Sequence, residues 1–506
     1  MDGLSINDLE DGVLVKIFAM AVGAPSREFD PYFGGFFKGN QSLEPTVVEG
    51  FGMILTLPQV CKRWQGLIDS APTLWSRVFV GKPDEGGPPP GPGAAMTYPP
   101  VVNLRWWSNH CSLVESLHIR GNQTKRDGPL DTFNLGVLSL LSSQRLRVLH
   151  LDDCFQNGAS ESLIPVLTGL QNLEQLQIGP ARNEFARGVE QLTKLTNLRL
   201  LELQGMDDAA VQLSSKYLPI SLEVLALGAV DICPNTEDNC HLTNLKVLKL
   251  VEVDWDGPFC AHIGNLINLE ELVLSDVYHT MEHVRETELF IEELSKISAL
   301  EKLRHLEVMG DLDNEDRGLF ERIGEAIVQK PPFKYLEKLC ISFQSMQEFS
   351  PAFGHFEDLT HLNLEGFHLS SVPVAIMELP CLVDLGLCSC GLQTFPTTAP
   401  ASAATITLLR LVDNRFPEVP IGLKHWKGLQ ELDMSNNYFH FTDHAAFLLS
   451  LPDLECLRLF SGKARAGAES FERVENVDRG QLGCRLGYHL GYLCGGLQAK
   501  GCRVYL

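Results

Sequence analysis

The sequence predicts an α/β repeat fold in which short parallel strands stack side by side, each backed by a helix or a turn. The first observation is a recurring pattern, INLEELVLSDV at residues 267–277, with Leu269, Leu272, Leu274 and Val277 at offsets 0, +3, +5 and +8. The second is the spacing of the copies, mostly 23 to 27 residues, which fits the about 20 to 29 residues of a leucine-rich repeat. Together they predict a leucine-rich repeat solenoid, with a curved parallel sheet on its concave side and helices and turns on its convex side.

A single repeat has no core of its own, so the copies must stack. In the triplet Leu272-x-Leu274 both leucines share one face of the strand, because successive strand side chains alternate sides. Stacked repeats bury these leucines against one another, and the core grows by repetition. The fourteen copies begin at Val114, Leu146, Leu173, Leu198, Leu222, Leu245, Leu269, Leu303, Leu336, Leu359, Leu382, Ile406, Leu429 and Leu454.

Composition and charge favour a folded protein with protein partners. The chain is 44% hydrophobic and 21% charged, which is ordinary for a soluble folded protein. Its formal net charge of −23 would repel nucleic-acid phosphates or an anionic membrane surface, whereas a basic partner is compatible with it. The acidic start MDGLSINDLEDG lacks a cationic signal segment, and no apolar run reaches membrane-spanning length. We therefore expect neither a secreted protein nor a receptor.

The fourteen cysteines are scattered, and several, such as Cys154 and Cys390, occupy apolar repeat positions. A buried thiol there behaves as a small hydrophobic group. This usage favours a reducing compartment, so we expect a cytoplasmic location, with the nucleus as a second one.

Residues 1–80 have the pattern of a small all-α domain. An amphipathic helix is predicted within residues 1–22, because its apolar residues lie at helical spacing. Residues 23–52 are rich in Gly and Pro and predict an insertion, and two further short helices follow from Met53.

The strings DLEDGVLVKIF and LPQVCKRWQGLIDSAPTLWSRV resemble the F-box, a three-helix module. The family's usual Leu-Pro opening is replaced by Leu9-Glu10, and the insertion separates the two halves. F-box modules bind the Skp-type adaptor of a cullin-RING ubiquitin ligase. By this resemblance the adaptor-binding residues are Leu9, Val13, Ile17, Phe18, Val60, Cys61, Leu74 and Trp75. The alternative is that Trp64 and Trp75 form the core of a cap on the solenoid.

The rest of the chain divides by composition into three parts. Residues 81–100 are a Pro/Gly linker, residues 101–460 carry the repeats, and residues 461–506 are a Gly-rich cap or tail. Convex helices are predicted at 162–170, 185–195, 286–300 and 317–330. Beyond residue 360 a Leu/Phe-x-x-Val/Phe-Pro signature predicts extended or turned convex segments, since proline removes a backbone donor.

Recognition is expected on the outward residues of the concave strands, which surround the inward leucines. These residues mix acidic, basic and apolar side chains, which suits a protein or peptide partner better than a polyanion. The candidate partner-binding residues are Glu202, Lys249, Glu271, Val273, Glu307, Asn363, Arg410 and Asp433.

The sequence offers no convincing catalytic or metal site. The string from His279 to His283 matches the H-x-x-E-H zinc motif, but no third ligand can be assigned. Cys388 and Cys390 could suggest redox or metal chemistry, yet Cys390 occupies the repeat's Asn/Cys position, where burial is expected. We therefore expect no enzyme activity and no cofactor.

The same repeat position holds asparagines in three copies, Asn122, Asn414 and Asn437. A buried amide at this bend satisfies backbone groups. We predict that these side chains are structural.

These observations lead to one functional hypothesis and one alternative. The first is a substrate-recognition adaptor of an SCF-type ubiquitin ligase, with a Skp-type subunit bound at the F-box and a protein substrate bound by the repeats. The alternative is a leucine-rich repeat scaffold of the cytoskeleton or a ciliary axoneme without ligase association.

Overall fold

The computed structural model describes residues 10, 14, 62–63, 77–80, 111–120, 138–141, 145–152, 163–179, 188–205, 211–232, 241–255, 263–275, 297, 300–309, 335–342, 351–398, 400–438, 443–459 and 497–505. The chain divides into two compact units. The first comprises Met1–Val247 with Val251–Ala261, and the second comprises Leu248–Leu250 with His262–Leu506.

The architecture is a leucine-rich repeat solenoid built on parallel strands. Up to residue 255 the strands are β1 (Arg77–Val80), β2 (Ser116–Arg120), β3 (Val148–Asp152), β4 (Gln175–Gly179), β5 (Leu200–Gln204), β6 (Val211–Leu213), β7 (Val224–Gly228), β8 (Val230–Ile232), β9 (Val247–Val251) and β10 (Asp254–Trp255). In the first unit β1, β2, β3, β4, β5 and β7 lie side by side in that order, and β6, β8 and β10 form a small second sheet.

In the second unit the parallel strands again follow chain order. These strands are β11 (Glu271–Ser275), β12 (His305–Met309), β13 (Lys338–Ser342), β14 (His361–Glu365), β15 (Asp384–Cys388), β16 (Leu408–Arg410), β17 (Glu431–Asp433), β18 (Cys456–Arg458) and β19 (Arg503–Tyr505). All fourteen predicted repeats therefore have their strand where the leucine pattern places it, from β2 to β18.

The inward leucines of neighbouring strands are aligned by the register. In the first unit the +3 row is Leu117, Leu149, Leu176, Leu201 and Leu225. In the second unit it is Leu272, Leu306, Leu339, Leu362, Leu385, Leu409, Leu432 and Leu457. Every member is at most 1% exposed. Since burying one leucine contributes about 1.5 to 3 kcal/mol, these rows are the core.

Several of the repeat strands end at a sharp bend. Among the offset +7 residues that the structure describes, six have a positive φ, and Gly366 is the one glycine of these six. These residues are Ala229, Glu252, Gly366, Ser389, Asp413 and Asn436.

The next residue, at offset +8, holds the bend in place. The Asn414 amide donates to the Leu387 carbonyl at 2.6 Å and accepts from the Leu392 N–H at 3.0 Å. Asn437 donates to Leu411 at 2.8 Å. The prediction that these asparagines are structural is confirmed, whereas Asn122 lies outside the described residues.

Where the structure describes the segments between the strands, many of them form short helices. An α-helix, α1 (Leu163–Thr168), lies within predicted range 162–170, and a 3₁₀ helix (Val189–Lys194) lies within 185–195. Of ranges 286–300 and 317–330 only Ile297 and Leu300 are described, and both are buried. Further 3₁₀ helices are Cys111–Leu113, Ser215–Tyr217, Ile263–Asn265, Pro351–His355, Ala401–Ala404, Ile421–His425 and Asp443–Ser450.

The proline-containing segments behave differently from the expectation. Pro373, Pro400 and Pro420 are themselves extended, with φ of −63°, −76° and −63°, as predicted. Each is nevertheless followed by a helical turn, the first of which is α2 (Val374–Met377). The reason is that proline preceding a helix removes no hydrogen bond, because the first N–H groups of a helix are unpaired anyway.

Strands also occur beyond the predicted repeat range of residues 101–460. β1 pairs with β2, with Arg77 opposite Ser116, and β19 pairs with β18, with Arg503 opposite Cys456. Parts of the segments assigned to the F-box-like domain and to the C-terminal tail therefore extend the parallel sheets. The assigned domain limits otherwise stay predictions.

We predict that Asn414→Ala lowers the free energy of unfolding by about 1 to 3 kcal/mol, because it leaves buried backbone groups unpaired. Chemical denaturation followed by circular dichroism measures this change. The matched control is Gln393→Ala, which removes an exposed amide nearby and should change stability by less than about 0.5 kcal/mol. Equal effects of the two substitutions would contradict the structural role of Asn414.

Candidate partner-binding surface

The eight candidate residues on the strands all lie in described parts of the chain, but they differ in accessibility. Glu202 is 3% exposed and Val273 is 7% exposed, so these two are buried. Asn363 and Asp433 are partly exposed. The side chains of Lys249, Glu271, Glu307 and Arg410 are also partly exposed, at 20 to 38%.

The eight residues expected to bind a Skp-type adaptor, Leu9, Val13, Ile17, Phe18, Val60, Cys61, Leu74 and Trp75, lie outside the described residues. Leu14 is described in the same segment. It is helical and fully buried, and its N–H donates to the Glu10 carbonyl at 3.0 Å.

Three candidates meet around a histidine that the sequence analysis missed. Lys249 Nζ lies 2.9 Å from Glu271 Oε1, and His305 Nδ1 lies 3.2 Å from the same oxygen. The other ring nitrogen, Nε2, lies 3.6 Å from Glu307 Oε2. We call Lys249, Glu271, His305 and Glu307 the His305 cluster. It is a compact network in which cations and carboxylates alternate.

The network fixes the charges of its members. Burial alone would lower the pKa of His305, but its hydrogen bonds to Cys340, Glu271 and Glu307 outweigh burial and raise the pKa to about 10. Burial would raise the pKa of Glu271, but hydrogen bonds from His305 and Lys249 lower it to about 2. Near neutral pH the imidazole is therefore a cation between two carboxylates.

A second group of ion pairs lies on β15 to β18. Arg410 binds the Asp384 carboxylate through both oxygens, at 2.9 and 3.0 Å. Farther along, Arg458 lies 3.4 Å from Glu431 and 5.5 Å from the centre of the Tyr505 ring. One arginine nitrogen, Nη2, donates to both oxygens, so the contact does not use the two-nitrogen fork of the guanidinium.

The residues that sequence reasoning missed share a position. His305, Asp384 and Glu431 each stand at the first residue of a strand, two places before the central outward residue. Side chains at these two places point to the same side of the sheet. Extending the search from offset +4 to offset +2 would have found all three.

The outward face of the first unit includes a pair of histidines and a buried carboxylate. The His118 and His150 rings meet edge to face with centroids 5.6 Å apart. Burial, followed by the charge of His118, lowers the pKa of His150 to about 4, so this imidazole is neutral near pH 7. Gln177 donates to the buried Glu202 at 2.6 Å. Glu202 is thus held inside the unit rather than offered to a partner.

Charged residues also alternate along one edge of the strands, at offset +1 of the repeats. In the first unit Arg147 pairs with Glu174, and Glu223 pairs with both Arg199 and Lys246. In the second unit Arg304 pairs with Glu337. Such exposed pairs contribute little stability each, typically about 0.2 to 1 kcal/mol.

The two thiols considered for metal or redox chemistry are poorly suited to it. Cys390 is buried and donates to the carbonyls of Leu364 and Cys388 at 3.4 and 3.2 Å, which is the role asparagine plays elsewhere. Burial raises the pKa of Cys390 to about 12 and that of Cys388 to about 11. The His279 to His283 motif lies outside the described residues. Within the described ranges no group of three metal-binding side chains is found.

The repeats and their register define a leucine-rich repeat fold, and the outward residues make its sheets the candidate interaction surface. None of the helices in the described part of the chain has the length and apolarity to span a bilayer.

No protein-family model and no curated protein sequence matches this chain. Among solved structures, a leucine-rich repeat protein of Leptospira interrogans is 17% identical, with 79% of this chain and 91% of that chain covered and a TM-score of 0.47. An internalin of Listeria monocytogenes is 17% identical, with coverages of 58% and 76% and a TM-score of 0.33. The ectodomain of a plant receptor kinase from Arabidopsis thaliana is 16% identical, with coverages of 70% and 48% and a TM-score of 0.32. These likenesses are distant, so the fold assignment rests on the strands themselves.

We predict a pH-dependent contribution of His305 to stability. Its pKa is raised from 6.5 to about 10 in the folded chain, so its stabilisation is complete below 6.5 and lost as pH rises toward 10. His305→Gln should lower the free energy of unfolding by about 1 to 3 kcal/mol near pH 6, since 26% of the side chain is exposed and solvent screens part of the effect. Denaturation at a series of pH values measures the difference, which should shrink toward pH 10. The exposed His368→Gln serves as the control; a His305→Gln effect independent of pH would contradict the ion-pair role.

We also predict that Cys388 and Cys390 react slowly with iodoacetamide in the folded protein, because the thiolate is the nucleophile and both pKa values are raised. The exposed Cys381 is the internal control and should be modified first. Mass spectrometry of the digested protein measures the labelling. Labelling of Cys388 or Cys390 as fast as Cys381 would contradict their assignment as unreactive structural thiols.

Proposed function

We propose that this chain is the substrate-recognition subunit of an SCF-type ubiquitin ligase. Its F-box-like N-terminal segment binds a Skp-type adaptor, and its repeats bind a substrate protein. The observation that carries the repeat part is the outward surface of the second unit, where charged side chains are partly exposed and already oriented by ion pairs. This proposal implies a cytoplasmic or nuclear location.

The pattern of charge favours a protein over a polyanion as the partner of the repeats. On the outward positions of the second unit, Lys249, Arg410 and Arg458 alternate with Glu271, Glu307 and Asp384, among others. A polyanion needs a continuous basic groove. Alternating charges instead provide specificity for a protein surface with a matching pattern. Because the ion pairs fix these side chains before binding, less conformational entropy is lost on association.

The ligase part rests on the F-box resemblance of residues 1–80. The buried, helical Leu14 supports a helix at the place where the resemblance requires one. In this proposal Ile17, Phe18 and Trp75 are the large apolar anchors of the adaptor interface. Large buried side chains of this kind usually carry most of the energy of a protein interface.

The chain itself performs no catalysis in this mechanism. It holds the substrate near a ubiquitin-conjugating enzyme recruited by the same complex, which raises the effective concentration of substrate lysines. The rate of ubiquitin transfer depends on how the repeats orient the substrate, and not on any acid, base or nucleophile of this chain.

One observation favours the alternative, a scaffold without ligase association. β1 (Arg77–Val80) lies at the end of the F-box-like segment, and it pairs directly with the first repeat strand β2. A segment that adds a strand to the sheet serves as a cap for the solenoid. Adaptor binding distinguishes the two functions.

We predict that the full chain binds a Skp-type adaptor in calorimetry and in co-purification. The triple variant Ile17→Ala, Phe18→Ala, Trp75→Ala should weaken this binding by at least about tenfold, because three anchors are truncated.

The control is the double variant Lys249→Ala, Asp433→Asn on the repeat surface, which should bind the adaptor like the natural chain. Circular dichroism shows whether each variant is folded. If the folded natural chain does not bind the adaptor, or if the triple variant binds equally well, the ligase function is wrong and the scaffold function is favoured.

A further inference from the structure

The outward surface of the second unit contains a place where charges are not balanced internally. Asn363, Gly386, Arg410 and Asp433 are register neighbours on β14, β15, β16 and β17, so they form one row across four strands. Glu365 stands at the end of β14 on the same side of the sheet. We call these five residues the Gly386 patch.

Gly386 is required because of the side chain next to it. A Cβ atom at this position would clash with the Asn363 Oδ1 atom and would lie 3.6 Å from Arg410 Nε. The absence of a side chain lets the Asn363 amide lie across the strand. In this position Asn363 Oδ1 is buried and has no hydrogen-bond partner within the described part of the chain. An unpaired buried acceptor destabilises the protein. A hydrogen bond from a donor of the partner to Asn363 Oδ1 would therefore be favourable.

The carboxylates of the patch differ in how they are paired. Asp384 neutralises Arg410 by accepting from its Nη2 with both carboxylate oxygens, and Arg458 pairs with Glu431. Glu365 and Asp433 are left without an ion pair to any described cation. Asp433 uses one oxygen to accept the Ser435 N–H at 3.0 Å. The Gly386 patch therefore keeps two carboxylates and one amide oxygen available for donors.

The His305 cluster provides the contrast on the same surface. There each carboxylate contacts a protonated imidazole or an ammonium group within 3.6 Å. A basic partner would have to displace these existing cations. At the Gly386 patch Asp433 stands in register between Arg410 and Arg458, but these two arginines form their ion pairs with Asp384 and Glu431. A basic segment therefore meets two carboxylates, Glu365 and Asp433, that no described cation already holds in an ion pair.

The spacing of the two carboxylates defines the shape of the partner. β14 and β17 are three strand steps of about 4.8 Å apart, and Glu365 stands two residues, about 7 Å, farther along its strand than the row that contains Asp433, so their Cα atoms are separated by roughly 16 Å. In an extended segment, side chains four residues apart point to the same side with Cα atoms roughly 13 to 14 Å apart, and the length of Lys or Arg side chains covers the difference.

We propose that the Gly386 patch binds an extended basic segment of a partner protein, with Lys or Arg at two positions four residues apart. One basic side chain pairs with Glu365 and the other with Asp433. Beside the Glu365 contact, a main-chain N–H of the segment donates to Asn363 Oδ1 once the amide turns outward, and the missing side chain at Gly386 provides the clearance. The inference rests on the proposed protein-binding function of the repeats, but it does not depend on the Skp-type adaptor.

The test is selection of random seven-residue peptides, displayed on phage, against the full chain. The enriched peptides should carry two basic residues four positions apart. The most enriched one, synthesised with a fluorescent label, is the probe for anisotropy titrations. The isosteric double variant Glu365→Gln, Asp433→Asn should weaken its binding at least tenfold, and Gly386→Leu should weaken it as well.

The matched control is Glu455→Gln, which removes an exposed carboxylate at offset +1 of a repeat, away from the patch. Its probe binding should equal that of the natural chain. Failure to enrich any peptide, enrichment of acidic or neutral peptides, or unchanged binding to the Glu365→Gln, Asp433→Asn variant would overturn the proposal. No adaptor is present, so this result is separate from the test of ligase association.

Discussion

The structure depends on one constraint, which is that a repeat cannot bury its own leucines. Each strand presents two inward apolar residues, and parallel pairing in matched register places the next repeat's leucines directly beside them. In β15, for example, Leu385 lies between Leu362 and Leu409 and is completely buried. The bends that return the chain to the next strand follow from the same need, with Asn414 and Asn437 pairing the backbone groups that the turn leaves open.

The same register organises the electrostatics. Because equivalent residues of adjacent strands lie about 4.8 Å apart, an acidic residue in one repeat meets whatever stands at the same or a neighbouring position in the next. This brings His305 next to Glu271 and Arg410 next to Asp384, whereas Glu307 contacts His305 from two places along the same strand. The partly exposed charges are therefore arranged on a rigid support. The strongly negative total charge of the chain gives little indication of this local balance.

Sequence reasoning predicted the fold because the strands pair so that equivalent leucines of successive repeats lie side by side, and the spacing of those leucines can be read from the sequence. It placed all fourteen repeat strands and assigned Asn414, Asn437 and Cys390 to the bend. It missed β1 and β19, because their short sequences, Arg77–Val80 and Arg503–Tyr505, lack the leucine triplet and become strands only through their neighbours. The helical turns after the prolines were not predicted, because proline was expected to disfavour a helix throughout the segment. It does so only inside a helix and not directly before one.

The candidate surface was predicted less completely than the fold. Central outward residues follow from alternation along a strand, and Lys249, Glu307 and Arg410 were found in this way. Their partners His305 and Asp384, the burial of Glu202, and the clearance at Gly386 depend on which side chains meet across strands. The leucine pattern predicts which positions are neighbours, but it does not say which of the neighbouring side chains make contact or become buried.

The central claim is that inward leucines build the molecule while the outward residues of the second unit are available for recognition. A saturation scan of the strands β11 to β18, read as abundance of folded full-length protein, tests this most directly. The account predicts large losses for polar substitutions at inward positions such as Leu362 and Leu385, and near-neutral effects at Glu365, Arg410 and Asp433. Equal sensitivity of the outward and inward positions would contradict it, because the outward residues would then be part of the architecture.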